Sequence, residues 1–567
     1  MVDDDLSALL GGARAWAAQD PDAVTRAELD ALVERAEAGD EPAVGELRER
    51  FSGRLAFGTA GLRGELGAGP MRMNRVLVSQ AAAGLAAFLL TRPAGAHGVP
   101  PTAVIGYDGR HNSDVFARDT AELLQGAGVN ATLLPRALPT PVLAFAVRHL
   151  DASAGVMVTA SHNPARDNGY KVYLGGVDGG SQIVPPADGD IATEIARVAA
   201  GSIVGLPRDT GYQLAPERVV AAYVGETAAL ADGPSGLRVA YTALHGVGWE
   251  TAAAVFTAAG FASPITVDAQ LQPDPDFPTV AFPNPEEPGA LDLAFETARA
   301  SDADLIIAND PDADRVAVGV PDTSAEGGWR RLSGNELGWL LGWRAARRLS
   351  EAADETADGT LACSLVSSPA LGAIARHYRL DFAETLTGFK WISRVGGLAF
   401  GYEEALGYLV DPDKVRDKDG ISAAVEAVQL FTELAASGTS LEAHLEEFAE
   451  TFGGYASSQI SVRVSELAQI PRTMARLRAS LPDHVGEISV ERIDDFVDGF
   501  EQFPPSDLLR LHLTGGGRVI IRPSGTEPKL KCYLDAVSHD GTGAERLAAA
   551  AATLAALDAG MRKLLAD

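Results

Sequence analysis

Leu305-Ile306-Ile307-Ala308-Asn309-Asp310-Pro311-Asp312-Ala313-Asp314-Arg315 is a short apolar run that stops on a cluster of carboxylates. Four apolar residues in a row, without the alternation of a half-exposed strand, read as a strand buried on both faces. The same shape recurs along the chain. Thr102–Tyr107, Ala131–Leu134 and Gly155–Thr159 read as buried strands separated by Ala/Leu-rich helical stretches, as do Gly236–Thr242, Ile265–Val267 and Ala303–Ala308, and the pattern returns from Gly334 to Leu365. Such alternation predicts α/β domains, with mostly parallel sheets covered by helices. The three blocks show no strict sequence repeat, so any likeness between them is structural.

The ends differ. In the first fifty residues the apolar positions of Ala27–Glu34 fall at helical spacing, and Gly39-Asp40 supplies a stop. This predicts a helical extension packed on the first α/β domain. Towards the C-terminus, Tyr455–Val462, Leu509–Leu513, Arg518–Ile521 and Lys529–Tyr533 alternate like strands, and an Ala/Leu helix closes the chain. The expected division is 1–50 (helical extension), 51–205, 206–322 and 323–452 (α/β), and 453–567 (α+β). A chain of 567 residues is too long for one core, and 46% hydrophobic with 22% charged residues is an ordinary globular composition.

The net charge of −30 excludes a nucleic acid or an anionic membrane as partner unless a basic patch is concentrated somewhere, and no basic run of five or six residues exists. The acidic N-terminus and the lack of any stretch long and apolar enough to span a bilayer lead us to expect a cytoplasmic protein. Cys363 and Cys532 fit no metal or redox spacing and read as buried thiols. Lysine is scarce: of the seven, Lys171, Lys390, Lys529 and Lys531 fall in glycine- or proline-marked motifs, and Lys414 and Lys418 sit in a polar loop. An ammonium does proton transfer and point-charge phosphate contacts that a guanidinium does not, so this placement points to phosphate chemistry.

Asp310, Asp312 and Asp314 at i, i+2 and i+4 of extended backbone would fall on one side. Three crowded carboxylates call for a cation, and hard oxygen ligands without His or Cys suit Mg²⁺. An EF-hand loop fails, because its sixth position is Arg315 and its twelfth Pro321. Thr159-Ala160-Ser161-His162-Asn163-Pro164 follows another buried strand, which places Ser161 where α/β sheets bind ligands. Ser, Asn and Pro together are equally ordinary turn chemistry. Lys171, ten residues on, could approach the hydroxyl across a hairpin, while the His162 ring reads as a turn residue pointing away. In Ile521-Arg522-Pro523-Ser524-Gly525-Thr526, the Arg fork, hydroxyls and backbone N–H groups could wrap a phosphate. The loops Gly401-Tyr402-Glu403-Glu404-Ala405-Leu406-Gly407-Tyr408, Thr387-Gly388-Phe389-Lys390-Trp391 and Phe57-Gly58-Thr59-Ala60-Gly61-Leu62-Arg63-Gly64 are weak signals taken singly.

Together, and in this order, the motifs resemble those of the α-D-phosphohexomutase superfamily, in the longer branch of bacterial phosphoglucomutases and animal phosphopentomutases. The resemblance runs from Phe57 to Tyr533. It implies three similar mixed-sheet α/β domains and a C-terminal α+β domain around a central cleft. It also implies a mutase that moves a phosphoryl group between two hydroxyls of one sugar, through a phosphoserine at Ser161 and a bisphosphorylated sugar. Ser161, Lys171 and Arg315 would be catalytic, and Mg²⁺ would lie on Asp310, Asp312, Asp314 and the Ser161 phosphoryl group. Thr59, Arg63, His162, Lys390, Glu403, Arg522, Ser524, Gly525 and Thr526 would bind substrate, and a sugar 1,6-bisphosphate would serve as activator. The partner implied is a small phosphosugar, the protein being a monomer or homodimer. Ala405 and the lack of a following histidine depart from the family's G-E-x-S-G-H, so the sugar stays open. Glucose 1-phosphate leads, ahead of mannose and pentose phosphates. A Mg²⁺-dependent phosphatase with Asp310 as nucleophile, or a non-catalytic sugar-phosphate binder, are the remote rivals.

Overall fold

A computed structural model describes residues 2–58, 61–92, 99–352, 358–464, 469–524 and 529–566. The chain forms two compact units, Met1–Leu332 with Ala405–Gln429, and Ser333–Glu404 with Leu430–Asp567. Among the described residues, no helix is long and apolar enough to cross a membrane.

The first unit holds two sheets. In one, the parallel strands Asn130–Leu133, Thr102–Tyr107 and Ala154–Val158 continue into the antiparallel pair Asp167–Leu174 and Leu62–Glu65. Ala154–Val158 is buried at every position, as an unbroken apolar run requires of a central strand. The helix Arg75–Thr91 opens on Asn74, whose side chain accepts the Leu77 N–H, and presses Val78 and Leu85 onto this sheet. Phe116, Val156 and Val172 complete the contact, each buried apolar side chain contributing about 1.5–3 kcal/mol. The expected N-terminal extension is three helices, Val2–Ala17, Ala23–Glu37 and Glu41–Arg50, whose Leu29, Leu32 and Leu47 pack on Ala68, Val76 and Ile203.

The second sheet runs Trp329–Arg331, Val316–Pro321, Leu305–Asn309, Val239–Thr242, Ile265–Thr266. Its last three strands are parallel and its first two antiparallel, so the sheets are mixed. In both sheets the strand ahead of a chemistry-bearing loop is central, and a hairpin partner returns beside it.

In the second unit, Asp381–Thr385, Thr360–Ser364 and Leu398–Glu403 run parallel. A separate antiparallel sheet runs Gly454–Arg463, Lys529–Ser538, Arg518–Pro523, Leu509–Leu513, Ile488–Asp495, His484–Val485, backed by the helix Gly543–Ala566. Cys363 and Cys532 are buried free thiols, and burial pushes both pKa values up.

Candidate active site

Leu305–Asn309 delivers the acidic loop to the carboxyl end of its sheet. The backbone there is not extended, contrary to the sequence expectation. Ala313 takes a left-handed φ of 54° and its N–H donates to the Asp310 carbonyl at 2.8 Å. A tight turn, rather than strand alternation, brings the three aspartates together. All three are fully buried, and one oxygen of each lies within 4.8 Å of the others. The loop is clamped by close backbone approach: a Cβ on Gly246 would lie 2.2 Å from the Pro311 Cα, and one on Gly420 2.2 Å from the Arg315 carbonyl oxygen.

Ala154–Val158 hands over to Ser161 in the same way. The Ser161 N–H donates to Thr159 Oγ1 at 2.8 Å, its φ is 52°, and its hydroxyl donates to Asp310 Oδ2 at 3.0 Å. The serine and the acidic trio, 149 residues apart in sequence, therefore meet. Thr140 fastens the junction: its N–H donates to the Asp312 carbonyl at 2.9 Å and its hydroxyl to Asp312 Oδ2 at 2.7 Å. The His162 ring does not point away as expected. Its Nδ1 lies 3.2 Å from Ser161 Oγ and 3.9 Å from Asp310 Oδ2, because the left-handed turn at Ser161 swings the next side chain back onto the hydroxyl.

Lys171 lies on Asp167–Leu174, opposite Met157 across the hairpin. Its Nζ is 2.8 Å from Asp312 Oδ2 and 2.8 Å from Asp314 Oδ2. A lysine that takes a proton needs a depressed pKa, and the surroundings of Lys171 act the other way. Burial opposes the ammonium, but Asp312 and Asp314 outweigh burial and hold its pKa above the usual lysine range. Lys418, in a polar loop of the sequence, is buried with Nζ 3.1 Å from Asp314 Oδ2. Its scarcity as a residue type was the one sequence signal that could have found it. Arg315 comes within 3.9 Å of Asp314 and of Glu286. Arg63 Nη1 donates to Asn163 Oδ1 at 3.4 Å, and burial lowers its pKa against the pull of Asp312. Burial, then Arg315 and Arg63, keep the His162 imidazole well below its ordinary pKa and hence neutral.

The donor set fits a hard divalent cation. Asp312 Oδ1 and Asp314 Oδ1 are buried without a hydrogen-bond partner, a costly state for carboxylate oxygens. Burial and then the neighbouring carboxylates drive the Asp310 pKa well above its usual range, so that a cation on its oxygens would be favoured. Lys171, Lys418 and Arg315 balance three carboxylates. A phosphoryl group on Ser161 would add a charge of about −2, which a divalent ion cancels.

In the second unit, the Gly388 N–H donates to Glu403 Oε1 at 2.6 Å, joining two of the weak glycine loops, and Lys390 Nζ sits 5.8 Å from the centre of the Trp391 ring. Glu404 Oε2 accepts from Ser364 at 3.1 Å and Ser367 at 3.2 Å, so it serves the local turn. Arg522 Nη1 donates to Thr387 Oγ1 at 2.7 Å, and the Ser524 N–H donates to the Lys529 carbonyl at 2.8 Å. Thr59, Gly525 and Thr526 lie outside the described residues.

Residues 54–201, 221–323, 333–452 and 460–554 match family models described as phosphoglucomutase/phosphomannomutase alpha/beta/alpha domains I, II and III and C-terminal domain. A protein of Haemophilus influenzae named probable phosphomannomutase is 54% identical over 496 residues, which cover 87% of this chain and 98% of that one. The phosphopentomutase of Mus musculus is 34% identical over 547 residues, covering 88% and 86%. A phosphoglucomutase/phosphomannomutase family protein from Burkholderia thailandensis has a similar fold, with a TM-score of 0.66 at 18% identity over 90% of this chain and 97% of that one.

Proposed function

The chain belongs to the phosphoglucomutase/phosphomannomutase family and is a mutase, and from that premise we propose that it interconverts hexose 1-phosphates and hexose 6-phosphates through a phosphoserine at Ser161. The observation that carries this reading is the 3.0 Å contact of the Ser161 hydroxyl with Asp310 inside a buried acidic trio. Asp310, Asp312 and Asp314 would hold Mg²⁺, which when bound offsets charge on the phosphoryl group in transfer.

The residues do the rest. Transfer breaks the bond from phosphorus to the Ser161 oxygen and forms one to a sugar hydroxyl. Thr159, the left-handed turn and Thr140 hold the serine and the acidic loop in register, so that transfer is intramolecular in effect. Lys171 and Lys418 keep Asp312 and Asp314 ionised. The proton that the sugar hydroxyl gives up passes by way of a phosphoryl oxygen to the departing Ser161 oxygen, and His162, a neutral imidazole with Nδ1 within hydrogen-bond reach of that oxygen, steadies it as it leaves. The bisphosphate turns over and returns its other phosphoryl group to Ser161 by the reverse steps. A sugar 1,6-bisphosphate would prime an enzyme that has lost its phosphoryl group. Arg63, Lys390, Glu403, Arg522 and Ser524 are proposed substrate contacts, with Arg522 on the phosphate that does not react.

Glucose 1-phosphate is the first substrate to test. Mannose 1-phosphate, its C2 epimer, joins it on the name of the Haemophilus influenzae relative. A pentose phosphate is the second reading, favoured by Ala405 in place of a hydroxyl in the Glu403 loop and by the mouse relative. The test assays glucose, mannose, glucosamine and pentose 1-phosphates with and without the matching bisphosphate, on wild type and Ser161→Ala. Isomerisation of a hexose 1-phosphate, lost by more than about 1,000-fold in the variant, is expected. Sustained phosphate release that survives Ser161→Ala would point to the phosphatase instead.

A further inference from the structure

Arg110 takes no part in the steps above, yet it is among the most buried charged residues of the first unit, 4% exposed. Its guanidinium lies beneath the Ser161 loop and is spent on backbone carbonyls. Nη2 donates to Ser161 O at 2.7 Å and Asn163 O at 2.6 Å, while Nη1 donates to Pro164 O at 2.8 Å and Asp167 O at 3.0 Å. Nε faces Asp108 at 3.4 Å, and the Phe277 ring closes the remaining face, 4.9 Å from Cζ. Asp108 is anchored in turn, accepting the Arg110 N–H at 3.1 Å and the Ser113 hydroxyl at 2.6 Å.

The segment needs such a support. Between Ala154–Val158 and Asp167–Leu174 the loop belongs to no strand or helix, and its internal backbone bonds include Asn163 N–H to Ala160 O at 3.0 Å and Asp167 N–H to Pro164 O at 3.0 Å. Ser161 is bonded in two directions: its carbonyl is drawn to Arg110 and its hydroxyl is directed at Asp310. Four carbonyls gathered on one planar fork leave the loop a single arrangement. A lysine cannot replace it, since three donors on one atom do not span four acceptors spread around a plane.

We propose that Arg110 is a positioning residue for phosphoryl transfer, setting the Ser161 oxygen in line by chelating the carbonyls of Ser161, Asn163, Pro164 and Asp167. This rests on the phosphoserine reading. In-line transfer is sensitive to displacements near 1 Å, which cost about 100-fold in rate. The contacts of Arg110 run to backbone carbonyls, Asp108 and Phe277, and not to the side chains of Asp310, Asp312 or Asp314, so its loss is expected to act on kcat and leave KM in place.

The experiment uses full-length Arg110→Lys and Arg110→Gln, with Ser161→Ala in parallel and whichever hexose 1-phosphate wild type turns over. Folding is checked by near-UV circular dichroism, and the rate of Ser161 labelling by ³²P-labelled sugar bisphosphate is followed. Folded Arg110 variants are expected to lose about 100-fold in kcat and to label more slowly, with KM within about threefold of wild type. Wild-type kcat in either folded variant overturns the proposal, as does a loss that merely tracks the unfolded fraction or the failure of both variants to fold. Mutase activity in Ser161→Ala would instead overturn the phosphoserine reading, whatever the Arg110 variants do.

Discussion

Asp312 and Asp314 each leave one buried oxygen unbonded while the other is held by cations, Asp312 also by Thr140. Asp312→Asn should therefore fold, yet require far more Mg²⁺ for activity, by about tenfold or more; a Mg²⁺ titration of activity checks this. Lys418→Met leaves Asp314 and Asp417 with less cationic compensation, and a broken buried pair costs about 3 kcal/mol or more; urea unfolding at neutral pH reads the loss. In the second unit, burial raises the Asp494 pKa, but hydrogen bonds from His512 and Arg510 outweigh it and hold the carboxyl below its usual range. That contribution to stability is complete above the unfolded value of about 3.9 and is lost as pH falls through the lower folded value. Between about pH 5 and 2 the wild-type urea midpoint should drop more steeply than that of Asp494→Asn. The residue types of the site were legible in sequence because carboxylates, a turn serine and rare lysines announce themselves. The contacts of Lys171 and Lys418 with Asp314 were not, since they join segments far apart in sequence, and neither was that of His162, whose direction follows from the left-handed turn at Ser161.

The elements that end at the site are short central strands, and their reach is set by what abuts their loops. Gly246 opens the turn after Val239–Thr242 and lets Pro311 come within contact of backbone. Gly246→Ala would push the acidic loop, costing about 1–3 kcal/mol in overpacking. Mg²⁺ affinity should suffer beyond the stability loss, seen by comparing the metal-induced shift in thermal midpoint with wild type. Buried strands such as Thr102–Tyr107 and Leu509–Leu513 were legible end to end, because uninterrupted or alternating apolar residues report burial directly. Ile488–Asp495 was not, since its Glu491, Arg492, Asp494 and Asp495 mask a strand whose pairing to Leu509–Leu513 supplies its stability.

At the scale of the molecule, two compact units predict two calorimetric transitions, and the acidic trio lies wholly in the first. Mg²⁺ at about 100 times its dissociation constant should raise that unit's stability by about 2.7 kcal/mol and leave the other transition in place. Chelation by EDTA should reverse the shift and abolish activity; two transitions moving equally would sink this assignment. Five loops in a fixed order, each behind an apolar run, were enough in sequence alone for the α/β class, the mutase family and the carboxylate and serine chemistry, because strand burial and turn chemistry are local properties of the chain. Only the tertiary structure could decide that Ser161 meets Asp310 across 149 residues, that Lys418 and not solvent faces Asp314, and that one guanidinium gathers the serine loop. Those contacts join segments distant along the chain, and their geometry is set by how the two sheets of the first unit pack.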